Sequence, residues 1–204
     1  MKIYTKFSAL RAISVLAAQD DIRYYLNGVL VEASASVTRL VATNGHVMGI
    51  YDNTEQENEL DDRASVSFII PAAALALLKP AKNKLDQLVI ENGTLTVVGG
   101  ASVNFTAVDG KFPDYIRVIP DKVTGETAQF NPDYIADFKK TYKLLNAKTF
   151  HIHHNGNSGA IVDFATDNFL GIMMPLRSGV TLESYSPSRF KTPITTAIEQ
   201  AQAA

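Results

Sequence analysis

The sequence predicts an α+β fold built on antiparallel sheets. One pattern, strand then helix then three strands, recurs three times, starting near residues 2, 66 and 128. The links between successive strands are of hairpin length, too short for the crossovers that parallel strands require. In each copy a helix signal follows the first strand directly, at Ser8, Pro71 and Pro132.

In the first copy, residues 2–7 form a strand-like run and residues 8–18 a helical one. There Leu10, Ile13, Leu16 and Ala17 make a single apolar stripe, and Ser8 is placed to cap the helix. Strands are expected over residues 24–33, 38–43 and 47–51, rich in Val, Leu, Ile, Tyr and Thr and separated by Ser- or Gly-containing turns. The second copy opens with a strand over 66–70. Pro71 stands where a helix begins, its missing N–H costing nothing there, and residues 72–78 are strong helix formers that Pro80 ends. Strands over 85–90, 94–98 and 102–108 follow, with Asn92-Gly93 as a hairpin turn. The third copy has a strand over 128–130 and a helix from Pro132 with Asp133 in its first turn. Tyr134, Ile135, Phe138, Tyr142 and Leu145 form the apolar face of that helix, and strands over 150–154, 160–164 and 169–173 complete the unit.

Two units pairing their helices and sheets give one domain over residues 1–120. Residues 121–127 then form a linker, 128–177 a half domain of one unit, and 178–204 a turn-rich tail with a short helix over 194–204.

The 204 residues suffice for a sizeable core. No run of about 18 apolar residues suggests a membrane span, and the opening Met1-Lys2-Ile3-Tyr4 lacks the apolar stretch of a secretory signal. With zero cysteines there are no disulfides, thiolate zinc sites or cysteine nucleophiles, and a cytoplasmic location is expected. The net charge of −2 announces no polyanion binder, so such a role depends on where charge sits. The three helical segments are positive. Arg11 lies on the first, Lys79, Lys82 and Lys84 on or after the second, and Lys139, Lys140, Lys143 and Lys148 outnumber Asp133 and Asp137 on the third. Acid gathers in loops, chiefly Glu55, Glu57, Glu59, Asp61 and Asp62. The lysines either solvate outer helix faces or form a surface for a polyanion, touching phosphates without reading bases.

Four motifs stand in order along the chain: Asp21-Ile22-Arg23-Tyr24-Tyr25-Leu26-Asn27-Gly28, Val41-Ala42-Thr43-Asn44-Gly45-His46, Asp109-Gly110-Lys111-Phe112-Pro113-Asp114-Tyr115 with Arg117-Val118-Ile119-Pro120, and Met174-Pro175-Leu176-Arg177. Together they resemble the bacterial sliding clamp, the beta subunit of DNA polymerase III. The first three are similar to its middle domain and the fourth to the end of its last domain. A chain of three units resembles a shortened member, a whole middle domain followed by the second half of the last.

The resemblance implies the DNA-clamp fold, with helices inside and sheets outside. It implies a non-enzyme that encircles duplex DNA as a homo-oligomer and tethers a polymerase, clamp loader or other replication protein, with no cofactor. Arg11, Lys79, Lys82, Lys84, Lys139, Lys140 and Lys143 would face DNA. A groove for an extended peptide would be walled by Leu26, Thr43, Gly45, His46, Val47, Met48, Pro113, Arg117 and Val118. Its other wall would be Ile172, Met173, Met174, Pro175, Leu176 and Arg177, with Asn131 and Tyr134 at the outer end. Val47 stands where the family usually has a basic residue, and Asn44 where it has an acid. The alternative is a clamp-like module that captures such peptides without encircling DNA, as adaptor, decoy or regulator.

Other constellations carry less. His151 and His153 share one strand face beside His154, without a Cys or placed carboxylate to complete a metal site. Asp20-Asp21 and Asp61-Asp62 fall in polar turns. No Gly-Lys-Ser/Thr phosphate loop is present.

Overall fold

The computed structural model describes residues 1–60, 64–82 and 85–177. Lys84, Asp61-Asp62 and the expected tail 178–204 lie outside the described residues. The first unit comprises β1 (Ile3–Lys6), α1 (Phe7–Ser14), β2 (Gly28–Ala33), β3 (Thr38–Thr43) and β4 (Val47–Asn53). The second comprises β5 (Val66–Pro71), α2 (Ala72–Leu77), β6 (Gln87–Glu91), β7 (Thr94–Val97) and β8 (Ser102–Asn104). The third has α3 (Pro132–Leu144), β9 (His151–His153), β10 (Ala160–Asp163) and β11 (Phe169–Met173).

All pairings between these strands are antiparallel, in two sheets of order β1-β6-β7-β8 and β5-β2-β3-β4-β11-β10-β9. The first two units exchange their opening strands: β1 lies on β6 and β5 on β2. The third unit joins the first directly, because β11 pairs with β4 from Phe169↔Tyr51 to Met173↔Val47.

The period-2 alternation of the strands sorts two cores onto opposite faces of the large sheet. On the helical face Val29, Leu40, Val47, Phe169 and Met173 pack with Leu10, Ile13, Leu16 and Phe138. On the other face Leu30, Val41, Met48, Ile50 and Ile172 pack beneath Phe112 and Tyr115. The segment carrying those two rings is tied down by Val108 N–H donating to Ile69 O (3.0 Å) and Tyr115 Oη donating to Glu32 Oε2 (2.5 Å).

Several local expectations are corrected. Ser8 does not cap α1: Lys6 occupies the cap position, and Asp86 of the second unit accepts from Ser8 N–H (2.7 Å) and from its hydroxyl. The exchange of strands brings that carboxylate to the helix start, where N–H groups lack internal partners. α1 ends at Ser14 rather than 18, with Leu16 and Ala17 buried in the turn after it. Residues 24–26 form a 3-10 turn, so the strand expected from 24 starts at Gly28. The strand expected over 102–108 stops at Asn104, and the one expected from 85 begins at Gln87. Pro71 caps α2 from outside instead of occupying its first turn. Residues 128–130 form no strand; unlike β1 and β5, they have no sister unit to pair with. α3 begins as expected, with Asn131 Oδ1 accepting from Asp133 N–H (2.9 Å).

The seam between the first and third units turns on two glycines that face each other, Gly49 and Gly171. A Cβ at Gly49 would lie 2.4 Å from Leu16 Cδ1, and one at Gly171 would lie 2.5 Å from Phe138 Cε1. Missing side chains at this point let the α1 end and α3 settle onto the sheet together. The helices also meet directly, Thr141 Oγ1 donating to Ala12 O (3.1 Å). Gly171→Ala is therefore expected to destabilise the protein by about 1–3 kcal/mol. Denaturant unfolding checks this, and a midpoint equal to that of the unaltered chain would refute the steric account.

Candidate functional site

Beside the seam, on the face away from the helices, lies a cleft of about 250 Å³. Its floor is apolar, from Leu26, Val47, Met48, Pro113, Val118, Ile172 and Met174. Arg23, Thr43, His46 and Asp114 add polar groups to the lining. Val118 and Met174 remain 51% and 38% exposed, so the apolar floor is open to solvent.

The β3–β4 turn that forms one wall is fixed by its own side chains. Thr43 Oγ1 donates to Val47 O (2.6 Å) and accepts from Gly45 N–H (3.0 Å). Asn44 Oδ1 accepts from the N–H groups of His46 (2.9 Å) and Val47 (3.0 Å). Gly45 has φ +92°, and a Cβ there would meet the Arg23 guanidinium at 3.2 Å, so both backbone and space call for glycine. Arg23 reaches this point because Asp21 holds it, through Nε to Oδ1 (3.0 Å) and Nη2 to Oδ2 (2.7 Å). That pairing lowers the Asp21 pKa to about 2, chiefly through the side-chain hydrogen bonds from Arg23.

The third unit supplies the other wall. Met174 N–H donates to His46 O (2.8 Å), prolonging the seam past the last strand residue. Tyr134 of α3 stacks on His46, with ring centroids 5.6 Å apart and planes 15° from parallel. The cleft therefore exists only where two units meet.

Ten of the residues expected in the groove line this cleft: Leu26, Thr43, Gly45, His46, Val47, Met48, Pro113, Val118, Ile172 and Met174. Met173 does not. It is fully buried in the helical-face core, because alternation turns it away from its neighbours Ile172 and Met174. Arg117 is exposed and pairs with Asp114 (2.8 Å), and Asn131 serves as the cap of α3. Tyr134 acts through its stack on His46 rather than by lining the cleft. Pro175, Leu176 and Arg177 continue beyond it, Leu176 being 45% exposed and donating its N–H to Gln129 O (2.7 Å). Arg23, Asp114 and Tyr115, which belong to the motifs but not to the expected groove walls, also line the cleft. The Asp21-x-Arg23 spacing was the available signal for Arg23, since a carboxylate two residues away can orient a guanidinium.

On the opposite face, Lys79, Lys82, Lys139, Lys140 and Lys143 are exposed along the helical layer. Lys140 pairs with Asp137 at 2.8 Å. Arg11 is half-buried, its guanidinium over the Phe7 ring (5.9 Å) and donating to Leu78 O (3.5 Å). The histidine group has structural partners: His154 Nδ1 accepts from Ala128 N–H (3.0 Å), and His153 lies 3.5 Å from Asp163. Among the described residues no group of three or more His, Asp or Glu could hold a metal ion. No helix among them is long and apolar enough to cross a membrane.

A family model described as DNA polymerase III beta subunit, central domain, matches residues 5–114. The chain is 33% identical over 143 residues to the beta sliding clamp of Pseudomonas aeruginosa, covering 66% of this chain and 37% of that protein. It is 38% identical over 138 residues to that of Vibrio cholerae, covering 64% and 36%. The chain thus spans about a third of the length of the curated relatives it matches. The crystal structure of the DNA polymerase III subunit beta from Pseudomonas aeruginosa superposes with a TM-score of 0.68 at 22% identity, over 87% of this chain and 66% of that one. The corresponding Thermotoga maritima structure gives 0.65 at 18%, over 88% and 66%. At these identities the structural likeness is one of fold.

The Asp21–Arg23 pair offers a direct check on the cleft wall. Because the folded carboxyl titrates below its usual 3.8, its contribution is complete above about pH 4 and is lost as pH falls through about 2. Carboxyl NMR should place the Asp21 midpoint near 2 and move it back toward 3.8 in Arg23→Ala. A midpoint indifferent to that substitution would contradict the pairing.

Proposed function

Because the chain belongs to the DNA polymerase III beta subunit family, we propose that it acts as a sliding-clamp-type processivity factor on duplex DNA. The cleft is the docking site for an extended peptide of a replication partner such as a polymerase or clamp loader. The observation that carries this reading is the junction of the Thr43–His46 turn with Ile172 and Met174, which makes an open apolar cleft out of two units.

The chemistry suits a peptide with large apolar anchors. Each buried Leu or Phe contributes about 1.5–3 kcal/mol, and the flexible thioethers of Met48 and Met174 adapt to its shape. His46 and Arg23 stand where they can meet peptide carbonyls or a carboxylate. The exposed lysines of the helical layer supply sequence-independent phosphate contacts, and enclosure of DNA in an oligomer makes strong attraction unnecessary. A second reading is a peptide-capturing module that does not encircle DNA. The completeness of the cleft within one chain favours it, since no partner copy is needed to build the lining.

Met174→Glu should weaken binding of a fluorescent peptide with Leu and Phe anchors at least tenfold, a loss of about 1.4 kcal/mol or more, with an unchanged unfolding midpoint. Undiminished peptide binding would remove the cleft from the account. Lys139→Gln combined with Lys143→Gln should leave peptide binding intact and lower the slope of log affinity for DNA against log salt by about 2. Retention on circular but not linear duplex separates the encircling reading from the second one.

A further inference from the structure

Four residues that line the cleft, Pro113, Asp114, Tyr115 and Val118, come from a single stretch of chain. That stretch is a ridge with space on both sides. Behind it opens a cavity of about 860 Å³, lined by Pro113, Asp114 and Tyr115 again and by Glu32 of β2. Its hold on the sheet therefore decides where the ridge stands. The Phe112 and Tyr115 rings are buried against the sheet, but apolar contact has no direction of its own. Direction comes from the Tyr115 hydroxyl, which donates to Glu32 Oε2 (2.5 Å).

Glu32 is the first member of a row. It faces Arg39 of β3, which in turn faces Asp52 of β4, so charge alternates across three strands. Arg39 donates from Nε and Nη2 to the two Asp52 oxygens (2.7 and 2.6 Å) and from Nη1 to Tyr115 Oη (3.5 Å). The two-toothed pair fixes the guanidinium plane. The row then reaches the third unit: Asp52 N–H donates to Asn168 O (2.9 Å), and Asn168 Nδ2 donates to Asp52 O (3.0 Å). Asn168 immediately precedes β11, and Ile172 and Met174 form the cleft's other side. One polar row thus holds the ridge and β11 in a common frame. Glu32, Arg39 and Asp52 themselves lie outside the cleft lining.

We propose that Glu32 and Arg39 are positioning residues of the cleft. Acting through the Tyr115 hydroxyl, they hold the ridge at the distance from Ile172 and Met174 that a Leu- or Phe-sized anchor fills. The inference rests on the reading of the cleft as a peptide dock. Loss of the acceptor at residue 32 frees the ridge to move toward the cavity behind it. The cleft then widens, and an apolar anchor loses its contacts on one side.

Glu32→Ala should weaken binding of the fluorescent Leu- and Phe-anchored peptide about fivefold. Glu32→Gln, whose amide oxygen still accepts from a hydroxyl, should restore affinity to within about twofold. Tyr115→Phe should cost as much as Glu32→Ala, and the double variant no more than either, since the same hydrogen bond is lost in all three. The chain's four methionines give a second readout. Met48 and Met174 line the cleft, whereas Met1 and Met173 do not. In Glu32→Ala the methyl NMR signals of Met48 and Met174 should move while those of Met1 and Met173 stay. Additive losses, absence of rescue by Gln, or equal shifts at all four methyls overturn the proposal, the last because it reports general loosening. If the unaltered protein takes no such peptide, the docking reading falls and the methyl signals decide the inference alone: unmoved Met48 and Met174 overturn it, and shifts confined to them support it.

Discussion

Closure of the β4–β11 seam is the constraint on which the rest of this molecule depends. Two strands from units more than a hundred residues apart run side by side, and Gly49 faces Gly171 across them. Side chains at these positions would collide with Leu16 and Phe138. Their absence lets helices from both units sit on one sheet, and Thr141 to Ala12 joins those helices above it. The cleft on the opposite face then follows from the same pairing. Register places Ile172 beside Met48, and Met174 N–H closes onto His46 O. A shift of one residue would turn Met173 onto the cleft side and Ile172 and Met174 onto the helical face, replacing the floor of the cleft with residues that now fill the helical-face core.

Much of this was legible in the sequence where the cause is local. Apolar periodicity set the buried positions Leu10, Ile13 and Leu16, Asn92-Gly93 set a hairpin through two positive φ values, and Asn131-Pro132 set the start of α3. The repeat also stands in the element order, complete in the first two units and without its opening strand in the third. What was not legible depends on partners distant in the chain. Ser8 has the right chemistry for a cap, yet the exchange of β1 and β5 brings in Asp86, whose full negative charge is a stronger acceptor at a helix start. Residues 128–130 have the composition of a strand, but a strand is a paired state, and the pattern alone does not say whether a receiving sheet exists. Seven of the seventeen residues expected at the groove lie outside its lining, one of them, Tyr134, supporting it through His46, and they reflect the same limit. Motif order locates a neighbourhood, whereas side-chain alternation decides which members of Ile172-Met173-Met174 reach the cleft.

The large sheet also explains how one small chain can hold two unlike surfaces. Its helical face carries the exposed lysines, and its other face carries the apolar cleft. Between them lie two packed cores, so the charged and apolar surfaces are separated by the full thickness of the molecule rather than merging at a shared edge. An exposed acid-rich segment lies apart from both, where Glu55 pairs with Lys6 and Glu59 with Lys2. Among the described residues, Lys79, Lys82, Lys139 and Lys143 of the helical layer form no ion pair of that kind.

A net charge of −2 is consistent with contact to a polyanion once this distribution is taken into account. At physiological salt, charges interact appreciably only within about 8 Å. A phosphate beside α3 therefore responds to Lys139 and Lys143 and hardly to acids on the far loops. The same short range limits the attraction to a few contacts at a time, each weakened by water. Such contacts hold a duplex loosely and let it move along its axis. On the proposed function, firm retention would come from enclosure, and the assembly of copies, rather than the strength of any single lysine contact, would decide how long the protein stays on DNA.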